Sequence, residues 1–162
     1  LPWMAYFEGS TTTVPAESYT LPFGQARVVR EGRDLSIVTL SQMVHKACMA
    51  AAQLAEQGID AEVIDLRTLV PLDRATVLAS VRKTGRVLIA DEDYLSFGLS
   101  GEIAALVAEN LDSVRLKAPV RRLAVPDVPI PYSRPLEQFV IPQVDAIVAQ
   151  ATRLMQASGV LA

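Results

Sequence analysis

Apolar runs of strand length alternate with helical patterns along most of this chain, and that alternation leaves few folds open. Residues 26–30 (ARVVR), 35–40 (LSIVTL), 61–66 (AEVIDL), 86–90 (RVLIA) and 120–125 (VRRLAV) read as strands. Between them, apolar residues recur at spacings of three and four, the period of one helix face. Met43, Ala47, Ala50 and Leu54 form one such face, in a helix that Ser41 is expected to cap and Gly58 to end. Asp73 is expected to cap a shorter helix carrying Val77, Leu78 and Val81, with Gly85 as its stop. Ser100 opens a third, with Ile103, Leu106, Val107 and Leu111 on one side. Pro142 suits the first position of a last helix, whose stripe is Val144, Ile147, Val148, Ala151, Leu154 and Met155.

Strands separated by helices imply a mostly parallel sheet covered on both faces. The strands agree, being apolar without strict alternation, as strands buried on both sides are. The expected fold is therefore α/β, a three-layer α/β/α domain of about five strands. A chain of 162 residues can bury roughly 70% of its unfolded surface, enough for a core without metal or disulfide support.

Composition narrows the function classes. Net charge is −3 and no basic stripe runs along any element, which argues against nucleic acid as a partner. Cys48 and His45 are the only residues of their kinds, so an internal disulfide and the usual Cys/His zinc sites are excluded. No apolar run approaches the ~20 residues a membrane-spanning helix needs, and no signal-like segment opens the chain. The expected compartment is cytoplasmic.

Three segments fall at strand ends, where α/β sheets bind ligands. His45 lies one turn into the first helix, nearly opposite its apolar face, and could act as a base near neutral pH. No partner acid or nucleophile accompanies it, so a surface or interface role is expected. Asp91-Glu92-Asp93 could hold a hard cation, or simply cap and solvate a loop before the Ser100 helix. Gly98 and Gly101 lead into that helix, but without a complete dinucleotide or P-loop pattern. They are expected to serve close helix–loop contact. Cys48 is expected to be a structural thiol. Residues 125–142 hold five of the ten prolines, so they can form neither a central strand nor one continuous helix. An extended, preorganised surface path is expected, with Asp127, Pro129, Pro131 and Tyr132 as candidate interface residues beside His45.

The order of motifs adds a resemblance. Leu21-Pro22-Phe23-Gly24-Gln25-Ala26-Arg27, Met43-Val44-His45-Lys46-Ala47, and above all Glu62-Val63-Ile64-Asp65-Leu66-Arg67-Thr68-Leu69-Val70-Pro71-Leu72-Asp73 carry it. Val81-Arg82-Lys83-Thr84-Gly85-Arg86, Phe97-Gly98 with Glu102-Ile103-Ala104, and Val128-Pro129-Ile130-Pro131-Tyr132 follow in sequence. Together they resemble the C-terminal, transketolase-like domain of β subunits of thiamine-dependent 2-oxo acid dehydrogenases, the pyruvate, branched-chain and acetoin enzymes.

That resemblance implies a five-stranded mixed sheet whose one antiparallel edge strand is residues 26–30. It implies thiamine diphosphate and Mg²⁺ in the parent enzyme but none held here, and no catalytic residue in this chain. Implied partners are a second β subunit (a homodimer contact), an α subunit and an acyltransferase core. Met4-Ala5-Tyr6-Phe7-Glu8 resembles the last strand of the preceding domain. Residues 1–20 are thus expected to be a stub and linker, and residues 21–162 the domain. The competing classes are a self-sufficient small enzyme or stand-alone anion-binding regulator using Ser41, His45 and the Gly98–Gly101 turn, and a pure dimerisation module.

Overall fold

The computed structural model describes residues 16–157; the proposed stub at Met4–Glu8 lies outside them. The elements run β1 (Arg27–Arg30), β2 (Leu35–Thr39), α1 (Met43–Glu56), β3 (Ala61–Asp65), α2 (Arg74–Thr84), β4 (Val87–Tyr94), α3 (Leu99–Ala108), β5 (Arg121–Val125), α4 (Arg134–Val140) and α5 (Val144–Gln156). The sheet order is β1-β3-β2-β4-β5. Strands β2 to β5 are parallel, and β1 runs antiparallel at the edge beside β3, with Arg27 opposite Asp65.

Side chains that alternate along the central strands feed two separate cores. Leu35, Ile37, Val63, Leu88 and Ala90 pack with α1 and α5 through Met43, Ala47, Leu54, Ile147, Ala151 and Leu154. Val38, Ile64, Leu66, Val87 and Ile89 pack with α2 and α3 through Val77, Val81, Ile103, Leu106 and Val107. Each fully buried Leu, Ile or Val in these layers contributes about 1.5–3 kcal/mol of transfer free energy. Chain direction explains the two layers. The β2–α1–β3 crossover moves one way along the sheet, and the β3–α2–β4 crossover moves back past β2. Right-handed crossovers in opposite directions place their helices on opposite faces.

Helix ends follow local chemistry in two cases and depart from it in three. Asp73 caps α2, its carboxylate accepting the Thr76 N–H at 3.0 Å, and left-handed Gly85 closes that helix. Gly58, also left-handed, follows α1. Ser41 does not cap α1. Its own φ is +56°, outside the extended region an N-cap adopts, and Gln42 takes the cap position with no side-chain bond. Leu111 falls beyond the end of α3 and is exposed, because that helix closes at Ala108. Pro142 precedes α5 instead of opening it, since Gln143 is the N-cap.

Two longer expectations are corrected. Strand β4 continues through Asp91, Glu92 and Asp93 to Tyr94, so the three acids lie on a strand and not in a loop. Pairing with β5 resumes at Tyr94↔Val125 after an irregular step, which is what carries the ladder past them. The proline-rich crossing is not extended throughout, since it contains α4 with a proline in its first turn, where a missing N–H costs no helix bond.

Candidate functional site

Strands β2 and β3 end side by side, and both continue through a residue in left-handed conformation, Ser41 (φ +56°) and Arg67 (φ +58°). The Leu66 N–H bonds the Thr39 carbonyl at 2.9 Å, extending the ladder one step. Asp65 then accepts the Arg67 N–H at 3.0 Å, an Asx-type turn that holds Arg67 where a non-glycine residue is otherwise disfavoured. The segment entering β1 is pinned against this corner. The Gly24 N–H donates to Thr68 Oγ1 (2.9 Å), whose hydroxyl donates to the Pro71 carbonyl (2.9 Å), and the Ala26 N–H donates to Asp73 Oδ2 (3.0 Å).

Between this corner and α1 lies a depression of about 620 Å³, within the usual range of roughly 300–1,000 Å³ for small-molecule sites. Phe23, Arg27, Ser41, His45, Cys48 and Arg67 are among its lining residues. Thus Ser41 and His45 do come together, as the sequence suggested. The Gly98–Gly101 turn does not join them, because α3 lies on the opposite face. His45 is exposed, with no side-chain hydrogen bond among the described residues. Burial pushes the Cys48 thiol above its ordinary pKa, with Asp65 adding to the rise and Arg30 opposing it.

The acids of β4 serve the turn into α3. Asp91 is buried, and burial pushes its carboxyl above the usual range, against the N–H groups of Asp93, Glu92 and Ser100. The Asp93 N–H donates to Asp91 Oδ1 at 3.2 Å. Among the described residues, no three His, Cys, Asp or Glu side chains are grouped to hold a metal ion. Gly98 is needed for packing, since a Cβ there would sit 2.0 Å from the Tyr94 carbonyl oxygen. Gly101 is not, because the nearest atom to a Cβ would be Arg122 Nη1 at 3.5 Å.

The other candidate interface residues lie on the crossing that leaves β5. Asp127 accepts both the N–H (3.2 Å) and the hydroxyl (2.6 Å) of Ser96, tying the crossing to the β4–α3 loop. Asp127 and Pro129 line a shallow hollow with Tyr94 and Phe97. Pro131 is half-buried; Tyr132 is 93% and Phe139, on α4, 86% exposed. His45 therefore stands apart from Asp127 and Pro129, in a different hollow. Lys46 links the two regions, since its Nζ donates to the Pro142 carbonyl at 3.0 Å. Burial lowers the Lys46 pKa, against the charges of Glu92 and Glu137.

Sequence reasoning missed Phe23, Arg27 and Arg67 as site residues. The signals available were their place at strand boundaries, which many residues share, and their membership in the two motifs at residues 21–27 and 62–73.

Comparison with known proteins agrees with this architecture. Residues 24–147 match the family model described as transketolase, C-terminal domain. The chain is 50% identical over 136 residues to the pyruvate dehydrogenase E1 component subunit beta-1, mitochondrial, of Arabidopsis thaliana, covering 84% of this chain and 37% of that protein. It is 46% identical over 143 residues to the acetoin:2,6-dichlorophenolindophenol oxidoreductase subunit beta of Cupriavidus necator, covering 88% and 42%. It therefore spans less than half the length of these relatives. Among solved structures, a split-gene transketolase described as an inactive beta4 tetramer superposes with a TM-score of 0.76 at 29% identity, over 91% of this chain and 46% of that one.

Proposed function

This chain belongs to the transketolase C-terminal domain family, and on that premise we propose that it is the subunit-contact domain of a thiamine diphosphate-dependent 2-oxo acid dehydrogenase β subunit, of the pyruvate dehydrogenase type. Its relatives are named as β subunits of a pyruvate dehydrogenase E1 component and of an acetoin oxidoreductase, which supports this reading over a stand-alone module. The whole enzyme would decarboxylate a 2-oxo acid and pass the acyl group to a lipoyl carrier. The part of this domain is contact with neighbouring subunits. In this reading thiamine diphosphate and Mg²⁺ are held by other domains of the assembly.

The observation that carries the reading is the crossing from β5 to α5. Its prolines restrict the backbone before any contact forms, which lowers the ordering cost of association. It presents Val128, Ile130, Tyr132, Leu136 and Phe139 to solvent, a run of apolar side chains that a soluble monomer does not ordinarily leave open. Asp127, Pro129, Pro131 and Tyr132 then belong to a contact with a second copy, with the α subunit and acyltransferase core as further partners. No described helix is long and apolar enough to cross a membrane. The reading includes a cytoplasmic setting, which recovery from an organelle fraction would contradict.

Calorimetry of the 162-residue chain with thiamine diphosphate and Mg²⁺ tests the division of labour. The expected result is no Mg²⁺-dependent binding, and micromolar affinity that requires Mg²⁺ would overturn it.

A further inference from the structure

The depression at the ends of β2 and β3 has a chemistry that subunit contact does not use. Three cationic or potentially cationic side chains reach it from separate elements, Arg27 from β1, His45 from α1 and Arg67 from the turn after β3. Arg27 has no carboxylate within ion-pair distance among the described residues, and the guanidinium of Arg67 has only Asp65 Oδ2 at 4.0 Å. Asp65 is already engaged, accepting the Arg67 N–H. With His45 neutral, two cations thus face one committed anion, and the local balance favours a further negative charge.

Polar and apolar groups are arranged around these cations. Ser41 also lines the hollow, as does Thr68, whose hydroxyl is already engaged by the Gly24 N–H and the Pro71 carbonyl. The remaining lining is apolar, with Leu21, Pro22 and Phe23 on the incoming segment and Val29 and Val44 opposite. Leu21 and Phe23 are exposed, 56% and 82%, so the lip of the hollow is itself greasy. Guanidinium groups beside an apolar wall suit a planar or tetrahedral anionic head carried on a small hydrophobic body.

We propose that this depression binds a small organic acid, a carboxylate or phosphate monoester with an apolar body, its head between Arg27, Arg67 and His45 and its body against Phe23 and Leu21. This site is separate from the proline-rich contact surface, so either proposal stands without the other.

Titration of the ¹⁵N-labelled 162-residue chain with benzoate and with phenyl phosphate, each read by amide shifts, tests the assignment. Benzylammonium is the control of like size and opposite charge. At least one anion should give saturable shifts centred on Phe23, residues 41–45 and residues 67–68, and benzylammonium should give none there. Arg27→Gln and His45→Gln, both at exposed positions, should each weaken binding about tenfold, the loss of one charge-assisted hydrogen bond. A dispersed spectrum for each variant shows that it remains folded. The proposal is overturned if neither anion saturates, if benzylammonium binds equally, or if both folded variants bind as the parent does.

Discussion

Replacing Asp73 with alanine removes one carboxylate that joins two distant parts of the fold. Oδ1 accepts the Thr76 N–H at 3.0 Å, while Oδ2 accepts the Thr76 hydroxyl at 2.7 Å and the Ala26 N–H at 3.0 Å. Loss of the α2 cap costs about 1 kcal/mol. The half-buried Ala26 N–H, left without its charged acceptor, adds about 1–2 kcal/mol. The sum, about 2–3 kcal/mol, is a large share of the ~5–15 kcal/mol that typically separates folded from unfolded chains, and corresponds to about 5–10 °C in Tm for this size. Burial would raise the Asp73 carboxyl, but the bonds from Thr76 and Ala26 outweigh it and hold its pKa below the usual carboxylate value. A lowered folded pKa gives stability that is present above the unfolded pKa and lost as pH falls through the folded one. Urea unfolding of parent and Asp73→Ala should therefore differ most near neutral pH, with the gap closing in acid. Asp73→Asn, which keeps an acceptor without the charge, should lose about half as much. A gap below about 0.5 kcal/mol at neutral pH, the scale of an ordinary surface substitution, or one that does not change with pH, would refute the reasoning.

Three other perturbations probe the frame around the two surfaces. Gly32→Ala would place a Cβ 2.3 Å from the backbone of Ala61 and Glu62, and a denaturant midpoint should show a loss of about 3 kcal/mol or more because backbone cannot yield as a side chain does. Lys83→Met strips the cation paired with the buried Glu62 side chain, at an expected cost of about 2–3 kcal/mol, reduced from the fully buried case because Lys83 is partly exposed. Glu62→Gln in the same chain should recover part of that loss. Burial raises the Cys48 pKa, so iodoacetamide at neutral pH should modify it several-fold more slowly than a free thiol, for want of thiolate. Equal rates would remove that reasoning.

Elements whose cause is local were legible before any coordinates. Asp73 and Gly85 bound α2 because capping and left-handed closure depend on a few adjacent residues, and the stripe Ile147, Ala151, Leu154 is buried as its period requires. The antiparallel sense of β1 is not encoded in ARVVR; the family resemblance supplied it. Ser41 misled because its residue type suits a cap, while its left-handed backbone is set by the corner it turns. The acids 91–93 read as a loop because burying Asp91 is costly in isolation, and the N–H groups of Asp93 and Glu92 on its own strand and of Ser100 at the start of α3 offset part of that cost. The depression was half visible through Ser41 and His45. Its other walls, Phe23, Arg27 and Arg67, come from segments far apart in sequence that meet only through the β1–β3 pairing.

The most direct test of the central claim is sedimentation velocity of the 162-residue chain over a wide concentration range, beside the double variant Tyr132→Ser, Phe139→Ser. Both side chains are largely exposed, so the variant should fold as the parent does. A subunit-contact domain predicts concentration-dependent association of the parent and a shift toward monomer in the variant. A parent that stays monomeric at every concentration, or a dimer that the two substitutions leave unchanged, would contradict the account.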